Sequence, residues 1–296
     1  MTASKGAEGR IAVPGGNVWY CIAGPDTPGV PVLVLHGGPG AGHDYLEALA
    51  ALADERPVVL YDQLGCGRSD IPEDESLWRI ERFVEEVASV REALKLDRIH
   101  LLGQSWGGWL AIEYMLTRPS GVVSLTLANT SADVDEFLSE ALRMVAELPE
   151  EARATIERCE AEGNTESGEY VAACMAFYQR HLCRLGEWPP EMLRTMANLQ
   201  ASPVYAHMWG PSEFTLTGNL AGWDRRDRLS EISAPTLIIS GRYDEMGPSC
   251  QQTLHSGIRG SQLRIFENSS HVPHAEEPDA YFAALREFLG GAEEGT

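Results

Sequence analysis

The chain is 296 residues long, with 44 acidic against 23 basic side chains and a formal net charge of −21. An apolar fraction of 44% beside 23% charged residues excludes wholesale disorder, and the length suits one large domain or a core with an insertion. So negative a surface repels phosphate backbones and anionic lipid, and no basic patch offsets it, which argues against nucleic-acid and membrane partners and leaves a cationic ligand compatible.

From Arg10 to Ala23 apolar and polar residues alternate around Pro14-Gly15-Gly16, which predicts a β-hairpin at a sheet edge. Pro31 to Leu35 and Pro57 to Tyr61 are short apolar runs ending in His36-Gly37-Gly38-Pro39-Gly40 and Asp62-Gln63-Leu64-Gly65, the pattern of strands buried on both faces. A helix is predicted over Leu77 to Leu94, a strand over Arg98 to Leu102, a helix over Gly107 to Thr117 and a strand over Val122 to Ala128. Later strands are predicted at Thr236 to Ser240 and Gln262 to Phe266. This alternation implies an α/β fold, a mostly parallel sheet with helices on both faces. Between about Ser131 and Glu231 the rhythm breaks into helix-like segments, Glu151 to Glu162 and Glu169 to Leu185 among them, without a convincing strand. That region reads as a helical insertion, closing with an irregular stretch, Val204 to Asp224, rich in Trp, Gly and Pro.

Gly103-Gln104-Ser105-Trp106-Gly107 satisfies G-x-S-x-G between a predicted strand and a predicted helix, the context of a nucleophile elbow. Such a turn exposes the Ser105 hydroxyl and sets the next N–H at a helix N-terminus, where a developing negative charge is favoured. A second oxyanion donor is expected from the glycine-rich segment after the first buried strand, which makes Gly37 and Trp106 the candidate pair. A serine needs a base and an orienting carboxylate, in the chain order Ser, acid, His. Asp244, after the strand at Thr236, and His271, after the run at Gln262, meet that order; Glu245 is the rival acid and His274 the rival base.

The six cysteines (Cys21, Cys66, Cys159, Cys174, Cys183, Cys250) show no CxxC or metal-like spacing, so neither a metal site nor a disulfide framework is expected. Met1 to Arg10 lacks the apolar segment of a secretory leader, and no run approaches about 20 apolar residues, which predicts a soluble cytoplasmic protein.

Together with Asp62 to Ser69, Gly241-Arg242-Tyr243-Asp244 and Ser270-His271-Val272-Pro273, these motifs resemble the α/β-hydrolase fold. Within that fold, the chain resembles the proline iminopeptidase (prolyl aminopeptidase) family of serine exopeptidases, including its archaeal tricorn-interacting members. The resemblance implies a core of residues 1–131 and 232–296, a cap of residues 132–231 over the substrate's first residue, and a Ser105, Asp244, His271 triad. It also implies that Glu213 and Glu245 hold the free α-amino or imino group of a small peptide or aminoacyl amide, with no cofactor and no metal. Paired carboxylates suit that task independently, because charge-assisted hydrogen bonds separate a terminal ammonium from an internal amide. Tyr205, Trp209 and Phe214 are candidates for an apolar wall around a pyrrolidine ring. Three rivals stay open on the sequence: an amidohydrolase acting on amino-acid amides or an aminoacylated biosynthetic intermediate, a carboxylesterase, and a hydrolase-fold receptor without turnover.

Overall fold

The computed structural model describes residues 6–294. Residues 1–5 and 295–296, which bear on the leader reading and on the outer bounds of the expected core, lie outside them. An eight-stranded sheet runs in the order β1-β2-β4-β3-β5-β6-β7-β8. The hairpin strands β1 (Ala7–Val13) and β2 (Gly16–Ala23) form one edge, and β2 meets β4 (Val58–Tyr61) antiparallel. The remaining strands, β3 (Val32–Leu35), β5 (Ile99–Gln104), β6 (Val122–Ala128), β7 (Thr236–Gly241) and β8 (Gln262–Phe266), run parallel with β4. The apolar runs at β3 and β4 are buried at every residue, as strands covered on both faces must be.

Alternate side chains of each strand enter opposite cores. Leu33, Leu35, Val59, Tyr61, Leu101 and Ile238 join one, under α1 (Ile80–Ala93) and α2 (Trp106–Leu116). Val32, Val34, Val58, Leu60, Leu102 and Ile239 join the other, under the 3-10 segment Asp44–Asp54 and the C-terminal helix. Because β3 lies between β4 and β5, the strand order reverses there. Such a switch point opens a crevice at the carboxyl ends of the strands. His36 follows β3 and Ser105 follows β5, so both glycine-rich turns face that crevice.

Five helices come between β6 and β7: α3 (Val134–Ala146), α4 (Glu150–Ala161), α5 (Gly168–His181), α6 (Pro190–Ala201) and α7 (Pro203–Met208). After β7 come α8 (Pro248–Gly257), α9 (Pro273–Glu276) and α10 (Pro278–Glu294). The stretch from Val204, expected to be irregular, opens as a helix because Pro203 occupies its first turn and the Ser202 side chain caps the Val204 N–H. No helix among the described residues is long and apolar enough to cross a membrane.

The insertion shares its core with the sheet. Trp109 of α2 stacks on Trp223 at 5.3 Å and meets Trp209 at 5.8 Å, while Trp209 stacks on Phe137 of α3 at 5.2 Å. All four rings are buried, and the indole N–H groups are satisfied: Trp109 donates to Ser131, Trp209 to the Ser212 carbonyl and Trp223 to Glu113. Trp109→Ala should lower unfolding free energy by about 3–5 kcal/mol in a denaturant titration, the usual cost of emptying a buried aromatic site.

Candidate active site

Ser105 occupies the turn from β5 into α2 with φ 56° and ψ −125°, a conformation that costs a non-glycine residue and persists only where surroundings impose it. Here they do. A Cβ on Gly103 would lie 2.2 Å from the Gly107 carbonyl oxygen, and one on Gly107 would lie 2.0 Å from that of Leu35. Only hydrogen fits at either place, so the two glycines allow the elbow to pack against the sheet. The Ser105 N–H donates to the Ala128 carbonyl, and the Thr130 hydroxyl donates to the Ser105 carbonyl. The N–H of Trp106 opens α2, whose first-turn donors have no partner within the helix.

His271 and Asp244 meet as expected. The imidazole Nδ1 lies 2.7 Å from Asp244 Oδ1, and Asp244 is fully buried. The carboxylate is held by Asn129 and Ser240, which donate to Oδ2 at 2.7 and 2.9 Å, and by the Met246 N–H, which donates to Oδ1. His271 lines the same cavity as Ser105, and its carbonyl accepts from the Gln104 side chain at 3.1 Å. His274, the rival base, is buried with Nε2 on the Tyr45 carbonyl, and burial pushes its pKa down to about 4. It anchors the 3-10 segment. Glu245, the rival acid, does not contact Nδ1; its Oε1 stands 3.6 Å from Nε2 instead.

The loop after β3 departs from the simplest expectation. The Gly37 N–H donates to the Tyr45 hydroxyl at 2.8 Å, that hydroxyl donates to Gln104 Oε1, and Gly38 lines the cavity. Gly37 still packs on Ser105, since a Cβ there would lie 3.0 Å from the Ser105 Cβ. Tyr45, Gln104 and Asn129 are the positioning side chains that sequence reasoning passed over. Only Gln104 carried a signal, as the variable residue inside G-x-S-x-G.

The segment Asp62 to Ser69 is scaffold. The Gln63 N–H donates to His36 Nε2, which places the ring proton on Nδ1, toward the Gly37 carbonyl at 2.9 Å; burial lowers the His36 pKa to about 4. The Gln63 amide bridges the His36 carbonyl and the Trp106 indole N–H. Burial pushes the Cys66 thiol well above its ordinary value, and the neutral His36 beside it does not reverse that.

Ser105 and His271 open onto a cavity of about 600 Å³ that Glu213 and Glu245 also line. Glu245 is buried and neither carboxylate oxygen has a hydrogen-bond partner in the protein; Glu213 accepts from the Tyr205 hydroxyl at 2.7 Å. Burial raises the pKa of both acids, and for Glu245 the neighbouring Glu213 and Asp244 add to it. Tyr205 lines the cavity, whereas Trp209 and Phe214 belong to the hydrophobic core, Phe214 edge-on to Phe177. Among the described residues no cluster of three or more His, Cys, Asp or Glu side chains is arranged to hold a metal ion.

A family model described as alpha/beta hydrolase fold matches residues 30–278. A proline iminopeptidase of Heyndrickxia coagulans is 43% identical over 282 residues, which cover 95% of this chain and 98% of that protein. The chain belongs to the proline iminopeptidase family of α/β hydrolases. Two solved structures superpose along nearly its whole length. The proline iminopeptidase of Mycobacterium smegmatis does so with a TM-score of 0.91 at 36% identity, covering 98% of this chain and 99% of that one. VinJ does so with a TM-score of 0.94 at 36% identity, covering 97% and 99%. The family and fold expected from the motifs are thereby borne out.

Glu245 also sets a test of stability. Its folded pKa lies above the unfolded value, so the wild type loses stability as pH rises through the folded pKa and the buried charge forms. Glu245→Gln removes that charge. It should be more stable than wild type by about 1–2 kcal/mol at pH 8 in urea unfolding, with a smaller gain at pH 5.

Proposed function

We propose that this protein is a serine aminopeptidase of the proline iminopeptidase type, cleaving the amide bond after an N-terminal aminoacyl residue, proline foremost. The observation that carries this reading is the pair of acids, Glu213 and Glu245, lining the cavity that holds Ser105. A buried carboxylate without a partner is costly unless a cation completes it, and a substrate's terminal ammonium is such a cation. An esterase has no use for it, and an acylated terminus offers no charge to satisfy it.

In the proposed cycle, His271 Nε2 takes the proton from Ser105 as Oγ attacks the carbonyl carbon, and Asp244 holds Nδ1 and stabilises the imidazolium. The oxyanion is assigned to the N–H groups of Trp106 and Gly37, the latter exchanging the Tyr45 hydroxyl for a charged and therefore stronger acceptor. The C–N bond breaks, the amine leaves with the proton held by His271, and water, deprotonated by the same imidazole, releases the aminoacyl group from Ser105. The residues between β6 and β7 act as the cap, over a core of residues 1–131 and 232–296. No cofactor or metal is assigned a step. We place the enzyme in the cytoplasm, a reading supported by six cysteines that are all free thiols.

Ser105→Ala should lower kcat on a prolyl arylamide by several orders of magnitude. Glu213→Gln should lower kcat/KM by about a hundredfold, largely through KM, on the scale of losing one partner of a buried charge pair. N-acetylation of the substrate should abolish turnover in the wild type. Comparable hydrolysis of free and acetylated prolyl arylamides in steady-state assays would refute the reading and favour an esterase.

A further inference from the structure

His271 meets Asp244 through its ring, and the residue before it is held just as firmly. Ser270 is fully buried and each of its polar groups is engaged. Its carbonyl accepts from Asn129 at 3.1 Å, while its N–H and its hydroxyl both donate to Glu276, at 2.7 and 2.8 Å. Glu276 is the last residue of α9.

The third bond to that carboxylate comes from the insertion. The Arg184 N–H, in the connection between α5 and α6, donates to Glu276 Oε1 at 2.7 Å. The same short stretch grips the loop that carries Asp244. His181 Nδ1 donates to the Tyr243 carbonyl at 2.9 Å, the His181 carbonyl accepts the Glu245 N–H at 3.2 Å, and the Arg184 guanidinium lies 3.8 Å from the centre of the Tyr243 ring. Acid loop and histidine loop are also joined directly, the Tyr243 N–H donating to the Ser269 carbonyl at 3.0 Å. The end of β7 presses on the same turn, since a Cβ on Gly241 would lie 2.1 Å from the Ser270 carbonyl oxygen.

The turn after β8 has an anchor of its own. Glu277 accepts from Asn268 and Ser269 and fastens that turn without help from the insertion. Glu276 adds something different, a tie from the residue beside His271 to the chain between α5 and α6. Hydrogen bonds to a carboxylate are the stronger kind, so three of them on one side chain make a firm joint.

Resting on the triad proposed above, we propose that Glu276 is a positioning residue for hydrolysis, the joint through which the insertion becomes part of the frame that aims His271 at Ser105. The imidazole must meet Asp244 on one side and the serine hydroxyl on the other, and a misplacement of about 1 Å in such a constellation costs about a hundredfold in rate. Glu276 is not among the residues that line the cavity, so its effect falls on turnover and not on substrate binding.

The test uses two variants. Glu276→Ala removes the whole joint; Glu276→Gln keeps its shape but strands one backbone N–H, because Oε1 serves Arg184 and Oε2 serves Ser270. A fluorophosphonate serves twice, its final labelling of Ser105 counting folded sites and its labelling rate reporting the aim of His271. Per labelled site, kcat on a prolyl arylamide should fall about a hundredfold in Glu276→Ala and about tenfold in Glu276→Gln, with KM within about twofold of wild type. The labelling rate should fall in step. In the alanine variant, amide hydrogen exchange should accelerate at both Arg184 and Ser270, the two ends of the tie. A kcat per site within about twofold of wild type overturns the proposal, and so does a loss confined to KM, which would make Glu276 a shaper of the pocket. Faster exchange at Ser270 but not at Arg184 overturns the link to the insertion. If the alanine variant yields no labelled sites, the glutamine variant decides by the kinetic criteria alone. A wild type that is neither labelled nor active on a prolyl arylamide refutes the triad itself, an outcome distinct from all of these.

Discussion

The site depends on one backbone conformation, that of Ser105 at positive φ, held between a strand and a helix that approach closely enough to exclude any side chain at Gly103 or Gly107. That conformation makes the following N–H the first of a helix, so the proposed nucleophile and its proposed oxyanion donor belong to the same turn. Gln104 inside the elbow binds Tyr45 on one side and the His271 carbonyl on the other, so three distant segments are registered by a single amide.

Against that frame the two glutamates differ, since Glu213 accepts from Tyr205 and Glu245 has no hydrogen-bond partner in the protein. Asp244 accepts from Asn129, Ser240 and the Met246 N–H beside its contact with His271. Glu245, the next residue, is buried without a donor. Adjacent carboxylates thus stand in opposite surroundings: one is hydrogen-bonded by its own protein, and the other is the group proposed to receive a substrate's ammonium.

Much of this was legible in the sequence because it rests on local rules. The buried strands ended at glycine-rich turns, the elbow motif sat between strand and helix, and chain order with position after a strand pointed to Asp244 and His271, with Glu245 and His274 left as rivals. The strands lie within a few residues of their expected places, and so do α1, α2, α4 and α5. What escaped notice depends on tertiary contact. Helix α3 carries clear helical spacing, with Val134, Phe137, Ala141, Met144 and Val145 on its buried face, and was passed over within the insertion, whereas α6 and α7 lie among prolines that read as loop. The engagement of Gly37 by Tyr45 joins residues eight apart through a hydroxyl, and no spacing rule encodes that bond. The sorting of Tyr205 to the cavity and of Trp209 and Phe214 to the core was equally invisible, since all three look alike on an aromatic-rich segment.

The indole cluster around Trp109 ties the insertion to the very helix that begins at the nucleophile, and Arg194 on α6 binds Asp44 and Glu47 at the opposite margin. The insertion is thus pinned at two margins, and displacing it as a body would break the aromatic packing and the Arg194 ion pairs together.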